Sequence, residues 1–550
     1  MMKKTFKRLL GLSLSAAMVI GMTACGNEPV KESETQVVSK ETTAVKESET
    51  QQVEEGVTYP LDTDITLTLW SHRLDLSDDY KDYSESPYHS GLIKRTGVNI
   101  EFSEPMEGQK DKDAYNLLLT EDELPYIILR STNRNELAEL YNDGLIYDLT
   151  PYLEEYAPDY WDYLTAPENE AVYRQATTAD GKVLGFWLLK ESTWSLPYMG
   201  PIIRQDWLDE CGLDTPVTLE DWEQVLITFK EKYNASFGFE SAVLAECLMA
   251  SGTGAMGTGY GYYKDDNGEI QLACLQPEWK EYMEVMNRWY ENGLIDNDVV
   301  TMDQASLRTK VANNQIGAAY VPMSRMSNFI NDAEANGTGA KWVGVSYPRV
   351  AEGEPTSHVR WGTVVSPTGA FITTSCPEEY LITAIKFLNY GYTEEGTLYS
   401  NLGEEGLSYT LDKEGNPQFT DLVLNDPKGV GAALYKYTAV EGTACFQMDH
   451  MTRMRNREEV FKACDLWGDN TETDKHYFSS SLVVFNDEEQ LVYQEKESAL
   501  KTYINEMTQK FLIGTESLEN IEAFYAQIDA MGIQDCLEIL RTAYARELAK

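Results

Sequence analysis

Residues 198–229, YMGPIIRQDWLDECGLDTPVTLEDWEQVLITF, decide the fold class of this chain. The stretch begins as an apolar strand, and RQDWLDEC continues it as a helix that Gly212 ends. Thr218 caps a second helix, in which Trp222 and Leu226 share one face. A strand followed directly by two helices indicates that helices pack against a sheet.

Three earlier strands extend this pattern toward the amino terminus. Ile65–Trp70 alternates apolar and polar residues, Val98–Phe102 follows a helix that ends at Gly97, and Leu124–Arg130 contains a continuous apolar run. Strands that alternate with helices predict mostly parallel sheets with helices on both faces, so the fold class is α/β.

The ends of two of these strands carry candidate binding residues. In open parallel sheets, ligands bind beyond the carboxyl ends of the strands. This rule selects Trp70, Ser71 and His72 after the first strand, and Arg130 and Ser131 after the third. The alternative, that each residue simply ends its strand, stays open.

Length and charge limit the classes of partner. A chain of 550 residues exceeds one hydrophobic core, which predicts two lobes or more. The formal net charge of −45 argues against nucleic acid, and against an anionic polysaccharide spread over the whole surface. A local basic pocket would be an exception to this rule.

The sequence contains no recognisable catalytic, cofactor-binding or metal-binding motif. Seven cysteines besides Cys25 are scattered without a CxxC pair, and the five histidines are isolated. No HExxH, Gly-x-Ser-x-Gly, dinucleotide or P-loop pattern occurs, and KDDNGEI at 264–270 has too few oxygen ligands for an EF-hand. We therefore expect no cofactor, no obligatory metal and no enzyme activity.

The amino terminus has the three parts of a signal peptide. A basic start precedes 14 apolar residues, too few to span a bilayer, and TAC closes the segment. Met22–Cys25 resembles a bacterial lipobox, which implies cleavage after residue 24 and acyl chains such as palmitate on Cys25. An ordinary secretory signal with a coincidental cysteine is the alternative.

Residues 25–57 form a predicted disordered tether. The sequence KESETQ occurs in it twice, and large apolar residues are rare. Such a segment cannot bury enough surface to offset its ordering entropy.

The order of strand, RQDWLDECGL and TPVTLEDW closely resembles the extracellular solute-binding proteins of ABC importers, in the class that takes sugars and oligosaccharides. NNQIGAAYVPM at 313–323, the segment 369–411 and the closing helices at 503–544 are similar to the same family. The resemblance covers almost everything from about residue 60 onward.

This resemblance implies a two-lobed periplasmic-binding-protein-like fold of type II, with lobes joined by crossover hinge strands. We place the first lobe at 58–188 plus 366–430, and the second at 189–365 plus 431–550. Crossings are expected at Phe186–Ser195, at Ser366–Thr373 and near residue 430.

A cleft that closes on a sugar needs aromatic faces for the ring and planar polar groups for the hydroxyls. The chain has 34 tyrosines and 11 tryptophans. Candidates lie at the first crossing, in a glycine-rich loop and before the return crossing: Trp187, Trp194, Tyr198, Tyr260, Tyr262, Arg360 and Trp361. The alternative for each aromatic residue is a place in the core.

The resemblance and the lipobox together imply a monomeric receptor, lipid-anchored on the outer face of the cell membrane of a Gram-positive bacterium. It would capture a carbohydrate, expected to be an oligosaccharide, and deliver it to ABC permease subunits. A surface glycoside hydrolase or lyase, a receptor that feeds a sensor kinase, and a peptide or other polar ligand are the alternatives.

Overall fold

The computed structural model describes residues 56–71, 80, 83–106, 108–194, 196–243, 250–255, 261–356, 362–427, 430–439, 444–449 and 457–549. The predicted signal peptide, Cys25 and nearly all of the tether lie outside these residues. Within the described ranges, no helix combines the length and apolarity that a membrane crossing requires.

The strands are β1 Thr66–Ser71, β2 Asn99–Ser103, β3 Ile127–Ser131, β4 Phe186–Lys190, β5 Met199–Arg204, β6 Ser236–Phe239, β7 Tyr262–Lys264, β8 Ile270–Leu272, β9 Ile316–Pro322, β10 Trp342–Gly344, β11 Val365–Ile372, β12 Tyr409–Leu411, β13 Pro417–Phe419 and β14 Phe446–Gln447.

The helices are α1 Pro87–Thr96, α2 Asp111–Leu118, α3 Arg134–Asn142, α4 Thr150–Tyr156, α5 Pro158–Thr165, α6 Glu170–Ala176, α7 Gln205–Cys211, α8 Leu219–Tyr233, α9 Pro277–Glu291, α10 Gln304–Ala312, α11 Met323–Ala335, α12 Glu378–Asn389, α13 Glu394–Leu402, α14 Asp421–Leu424, α15 Val430–Tyr437, α16 Glu458–Trp467, α17 Thr473–His476, α18 Asp487–Leu512, α19 Ile521–Ala530 and α20 Ile533–Leu548.

Two separate sheets divide the chain into two lobes. The first lobe is built on six strands in the order β14-β4-β11-β3-β1-β2, in which only β11 is antiparallel to its neighbours. The second lobe is built on the order β10-β5-β9-β6, with β6 parallel to β9. Each sheet has its own hydrophobic core, and the predicted two-lobed α/β class is confirmed.

The chain crosses between the lobes three times. It leaves the first sheet after β4, returns before β11, and leaves again after β14. Phe446 of β14 pairs with Leu189 of β4, so the third crossing follows β14 and is later than the predicted position near residue 430. The remaining lobe boundaries stay a prediction.

The quoted stretch folds as its residues predict. Gly212 ends α7 in the left-handed conformation, with φ of 65°. Thr218 and Asp221 form a reciprocal capping box at the start of α8. Trp207 and Trp222 are buried in the core of the second lobe.

Gly317 of β9 lies directly beneath these helices. A Cβ atom at this position would lie 2.6 Å from Cδ2 of Phe229 and 2.8 Å from Cζ3 of Trp207. Because protein cores are close-packed, neither buried ring has space to move away. The glycine therefore allows α7 and α8 to rest on the sheet.

The two lobes also meet through Arg134, at the start of α3. Its guanidinium donates to the carbonyl oxygens of Arg174 and Thr177 in the first lobe, the latter at 2.9 Å. In the second lobe it donates to the carbonyl oxygen of Ser481 at 3.0 Å and to Glu547 Oε2 at 3.2 Å. Arg134 and Glu547 are 4% and 3% exposed, so this ion pair is buried between the lobes.

We predict that Gly317→Ala lowers the free energy of unfolding by about 1–3 kcal/mol, the usual range for overpacking a core. Chemical denaturation measures the effect. Gly431→Ala on α15 is the matched control: a Cβ there meets no atom within 4 Å, and we expect it to be neutral or stabilising by about 0.5–1 kcal/mol. Equal stabilities for both variants would contradict the close packing at Gly317.

We predict that Arg134→Met destabilises the protein by about 3–5 kcal/mol, because the Glu547 carboxylate is then buried without its counter-charge. Adding Glu547→Met should recover part of the loss. Arg174→Met is the control, since that side chain makes only a weak pair with Glu170 at 3.9 Å. Thermal and denaturant unfolding compare the variants, and a double variant no more stable than Arg134→Met would contradict the pairing.

Candidate functional site

A cavity of about 1330 Å³ lies between the two lobes. Its volume exceeds the roughly 300–1,000 Å³ of typical small-molecule pockets. Residues from both lobes and from the connecting segments line it. The cleft therefore has room for a ligand larger than a single sugar ring, and such a ligand would touch both lobes.

The second-lobe wall is the polar face of α11. Residues at positions 324, 327, 328 and 331 follow the i, i+3, i+4, i+7 spacing of one helix face. They line the cavity and are all small and uncharged: Ser324, Ser327, Asn328 and Asn331. The opposite face is buried: Met326, Phe329 and Ile330 belong to the second-lobe core, and Ala333 is also buried. One amphipathic helix thus supplies packing on one side and a row of hydroxyls and amides on the other.

The first-lobe wall begins where β3 ends. Thr132, Asn133 and Arg134 line the cavity immediately after the strand. The Asn133 side chain accepts from the backbone N–H groups of residues 135 and 136 at 3.0 and 3.1 Å, which caps α3. This cap fixes the turn that places the three residues in the cleft.

The connecting segments form the base of the cleft. Trp187 and Lys190 of β4, Tyr198 before β5, and part of the 362–368 segment line it. Trp187 is 2% exposed, and its indole N–H donates to the carbonyl oxygen of Ala176 at 3.1 Å. Its ring is therefore fixed, whereas the half-buried Tyr198 ring is more accessible.

A fourth wall comes from α14 and α15, which share a small third core with Leu402, Phe419 and Met448. Leu424 of α14 and Val430, Gly431, Ala432, Leu434 and Tyr435 of α15 line the cavity. This wall is mainly apolar, and its small residues leave space beside the polar row of α11.

Arg457 lies at the edge of the second-lobe wall. Its two terminal nitrogens donate to the two carboxylate oxygens of Glu334 at 2.7 and 2.5 Å, and one also donates to Asn331 at 3.3 Å. The hydrogen bonds to Glu334 raise the pKa of Arg457 above its ordinary value. The side chain is thus a permanent cation with a defined orientation.

Two of the sequence-predicted ligand residues, Trp187 and Tyr198, lie together at the base of the cleft. Ser131 precedes the cleft residue Thr132 and pairs with Thr368 of β11. His72, Tyr260, Arg360 and Trp361 lie outside the described residues, so their places in the cleft stay predictions.

Trp70, Ser71 and Arg130 are not among the described residues that line the cavity. Trp70 is buried in the first lobe with its ring 6.1 Å from that of Tyr115, and the guanidinium of Arg130 stacks 3.7 Å above the same tyrosine. Arg130 also pairs with Glu136 at 2.5 Å, and Ser71 lines a separate cavity of about 40 Å³. The contacts of these side chains therefore lie within the first lobe.

Two further candidates belong to the second lobe. Trp194 donates from its indole nitrogen to Asp465 of α16 at 2.7 Å. Tyr262 lies on β7, where it pairs with Leu272, and its side chain packs on the second-lobe core. Trp194 and Tyr262 therefore contact the second lobe and are not among the described residues that line the cavity.

Sequence reasoning did not identify the α11 row. Its signal was present: short neutral polar residues recur at helical spacing directly after the glycine-containing strand β9. Among the described residues, no group of three or more His, Cys, Asp or Glu side chains could hold a metal ion. The described cysteines are free, and all but Cys211 are buried.

Comparison with known proteins identifies the family. Residues 91–401 match the model of the bacterial extracellular solute-binding proteins. The lipoprotein LipO of Bacillus subtilis strain 168 is 25% identical over 495 residues, which cover 85% of this chain and 88% of LipO. A fructooligosaccharide ABC transporter substrate-binding protein, FusA of Streptococcus pneumoniae serotype 4, is 26% identical over 48% of this chain and 51% of its own.

Solved structures show the same fold. The alginate-binding protein AlgQ2, solved without calcium ion, superimposes with a TM-score of 0.70 at 19% identity, covering 89% of this chain and all of AlgQ2. FusA in complex with kestose superimposes with a TM-score of 0.69 at 19% identity, covering 88% of this chain and all of FusA. The family match spans more than half of the sequence, and the two-lobed architecture agrees with it, so this chain belongs to the bacterial extracellular solute-binding proteins.

Proposed function

We propose that this protein is the solute receptor of an ABC importer, and that it captures an oligosaccharide in the interlobe cleft and delivers it to the permease. The observation that carries the proposal is the composition of the cleft. Neutral hydroxyls and amides on α11 face an aromatic base and an apolar wall on α15. Sugars present the same combination of hydroxyl edges and apolar ring faces.

The relatives support this substrate class. FusA is named for fructooligosaccharides, and a further relative, YtcQ of Bacillus subtilis, is named for polygalacturonan and rhamnogalacturonan; it is 23% identical over 39% of this chain and 43% of its own. These names describe binding proteins. Here too we propose binding as the function of the cleft.

Transport depends on closure of the lobes. A ligand that contacts α11 on one side and Thr132 or Asn133 on the other stabilises the closed state only through its higher affinity for that state. The three crossing segments and the Arg134 contact keep the lobes in register while they move. The permease would then recognise the rims of both lobes at the closed spacing.

In this proposal, the amino-terminal segment attaches the receptor to the membrane. Cys25, as the lipidated first residue of a monomer, anchors the receptor to the outer face of the membrane of a Gram-positive cell, and residues 26–57 act as the tether. A tethered receptor stays near its permease, which raises its effective concentration there.

We predict that calorimetry against oligosaccharides of two to six units finds a ligand with submillimolar affinity. Tyr198→Ala should weaken its binding by about tenfold or more, because a ring at the base of the cleft is lost. Tyr152→Ala on α4, a half-buried tyrosine outside the cleft, is the control. Binding of peptides with no response to any sugar would overturn the proposed substrate class.

We predict that Gly431→Trp obstructs the cleft without unfolding the protein. The position lines the cavity and has no atom within 4 Å of an added Cβ, so the indole would occupy space that a ligand uses. Affinity for the longest bound oligosaccharide should fall at least tenfold, while Gly431→Ala retains it. Unchanged affinity in the tryptophan variant, with an unchanged melting temperature, would place the ligand elsewhere.

A further inference from the structure

The described lining of the cleft is depleted in acidic residues. Aspartate and glutamate make up 90 of the 550 residues, about one in six, yet none is among the 32 described residues that line the cavity. Carboxylates accept hydrogen bonds from sugar hydroxyls well. Their absence from this set therefore distinguishes the cleft from the rest of an acidic protein.

Basic side chains are retained in the same lining. They come from three sides: Arg134 from the first lobe, Lys190 from the end of β4, and Arg457 from the second-lobe wall. Arg134 is committed to the contact between the lobes. Gly362 also lines the cavity, and the ammonium nitrogen of Lys190 lies 3.5 Å from the point that a Cβ atom would occupy at Gly362.

Carboxylates that contact these walls are not among the described residues that line the cavity. Glu334 accepts from Arg457 but does not line the cavity, and Glu547 is buried against Arg134. At the base, Glu191 accepts from the backbone N–H of Asp449 at 2.9 Å, and Asp449 accepts from Ser192 at 2.5 Å. The acidic groups thus complete the supporting contacts, and the basic groups line the cavity.

We infer that the cleft selects an acidic oligosaccharide, one whose sugar units carry carboxylates. This inference rests on the proposed function and narrows its substrate class. A charged ligand group interacts more strongly with basic side chains in a cleft of low dielectric than in water, so Lys190 and Arg457 can bind an anion there although the whole surface carries negative charge. Lys190 acts as a point charge, and the planar fork of Arg457 matches a carboxylate in two hydrogen bonds.

Glu334 occupies this fork in the structure described here. A ligand carboxylate would compete with it for the two terminal nitrogens of Arg457. Glu334 is exposed on its other side, with 60% of its side-chain surface accessible, so water solvates it when it is displaced. The row of serines and asparagines on α11 would meanwhile bind the sugar hydroxyls.

The test compares acidic oligosaccharides with neutral counterparts of equal length. Tri- to pentamers of galacturonate, mannuronate and glucuronate are titrated beside the same oligomers with their carboxyl groups reduced to alcohols. We expect at least one acidic series to bind ten times more tightly than its reduced counterpart at low salt. This preference should shrink as the salt concentration rises.

Variants assign the preference to the two cations. Lys190→Met and Arg457→Met should each weaken binding of the acidic oligomer about tenfold more than binding of its reduced counterpart, while Lys501→Met on the exposed face of α18 changes neither. Glu334→Gln should strengthen acidic binding several-fold, because the Arg457 fork is released. Melting temperatures verify that each variant is folded.

The outcomes separate the inference from the proposed function. If a reduced or other neutral oligosaccharide binds as tightly as every acidic one, the acidic preference is overturned and the oligosaccharide receptor stands. If neither the acidic nor the neutral oligosaccharides bind, both are overturned. Acidic binding that survives Lys190→Met and Arg457→Met unchanged would also overturn the inference.

Discussion

Arg134 places a positive charge in the contact between two lobes that otherwise have separate cores. A buried guanidinium is tolerated only when its charge is paired and its N–H groups have acceptors. Carbonyl groups of the first lobe, and Ser481 and Glu547 of the second, accept from the two terminal nitrogens of Arg134, while its Nε has no acceptor among the described residues. The position of α3, and with it the first-lobe wall of the cleft, depends on this arrangement.

The second-lobe wall and the apolar wall are each formed by a helix that packs one face into a hydrophobic core and lines the cleft with another. Helix α11 packs Met326, Phe329 and Ile330 into the second lobe and turns neutral polar side chains outward. Helix α15 packs Ala433 and Leu434 into the small third core, and Val430, Gly431 and Ala432 face the cavity. Because both helices are held by apolar packing, their ligand-facing residues can vary with little effect on the fold.

Charged residues are distributed unevenly between the protein surface and the cleft. Acidic residues give the surface its large net negative charge, while the described cleft residues contribute amides, hydroxyls, aromatic rings and a few cations. The carboxylates of Glu334 and Glu547 hold Arg457 and Arg134 in place. The overall charge of the chain therefore says little about the chemistry at its centre.

The strands and caps were predictable because their signals are local. Thr218, Gly212 and the apolar run before Arg130 act through neighbouring residues and fold as their patterns predict. The rule that ligands bind beyond the carboxyl ends of strands selected the correct end of β3. The cleft, however, is lined by the three residues that follow the strand, 132–134, rather than by Arg130. That side chain instead stacks on Tyr115. A tertiary contact of this kind cannot be inferred from position in a strand.

By itself, the sequence determined the α/β class, the two-lobed organisation, the family and the absence of known catalytic motifs. The tertiary structure decided which polar faces meet across the cleft. Helical spacing reveals that Ser324, Ser327, Asn328 and Asn331 share a face, but only the packing of the opposite face on the second lobe directs that row toward the first. It also placed Trp70 in the first-lobe core and the indole of Trp194 against Asp465, because the contacts of a large ring depend on partners that are distant in the chain.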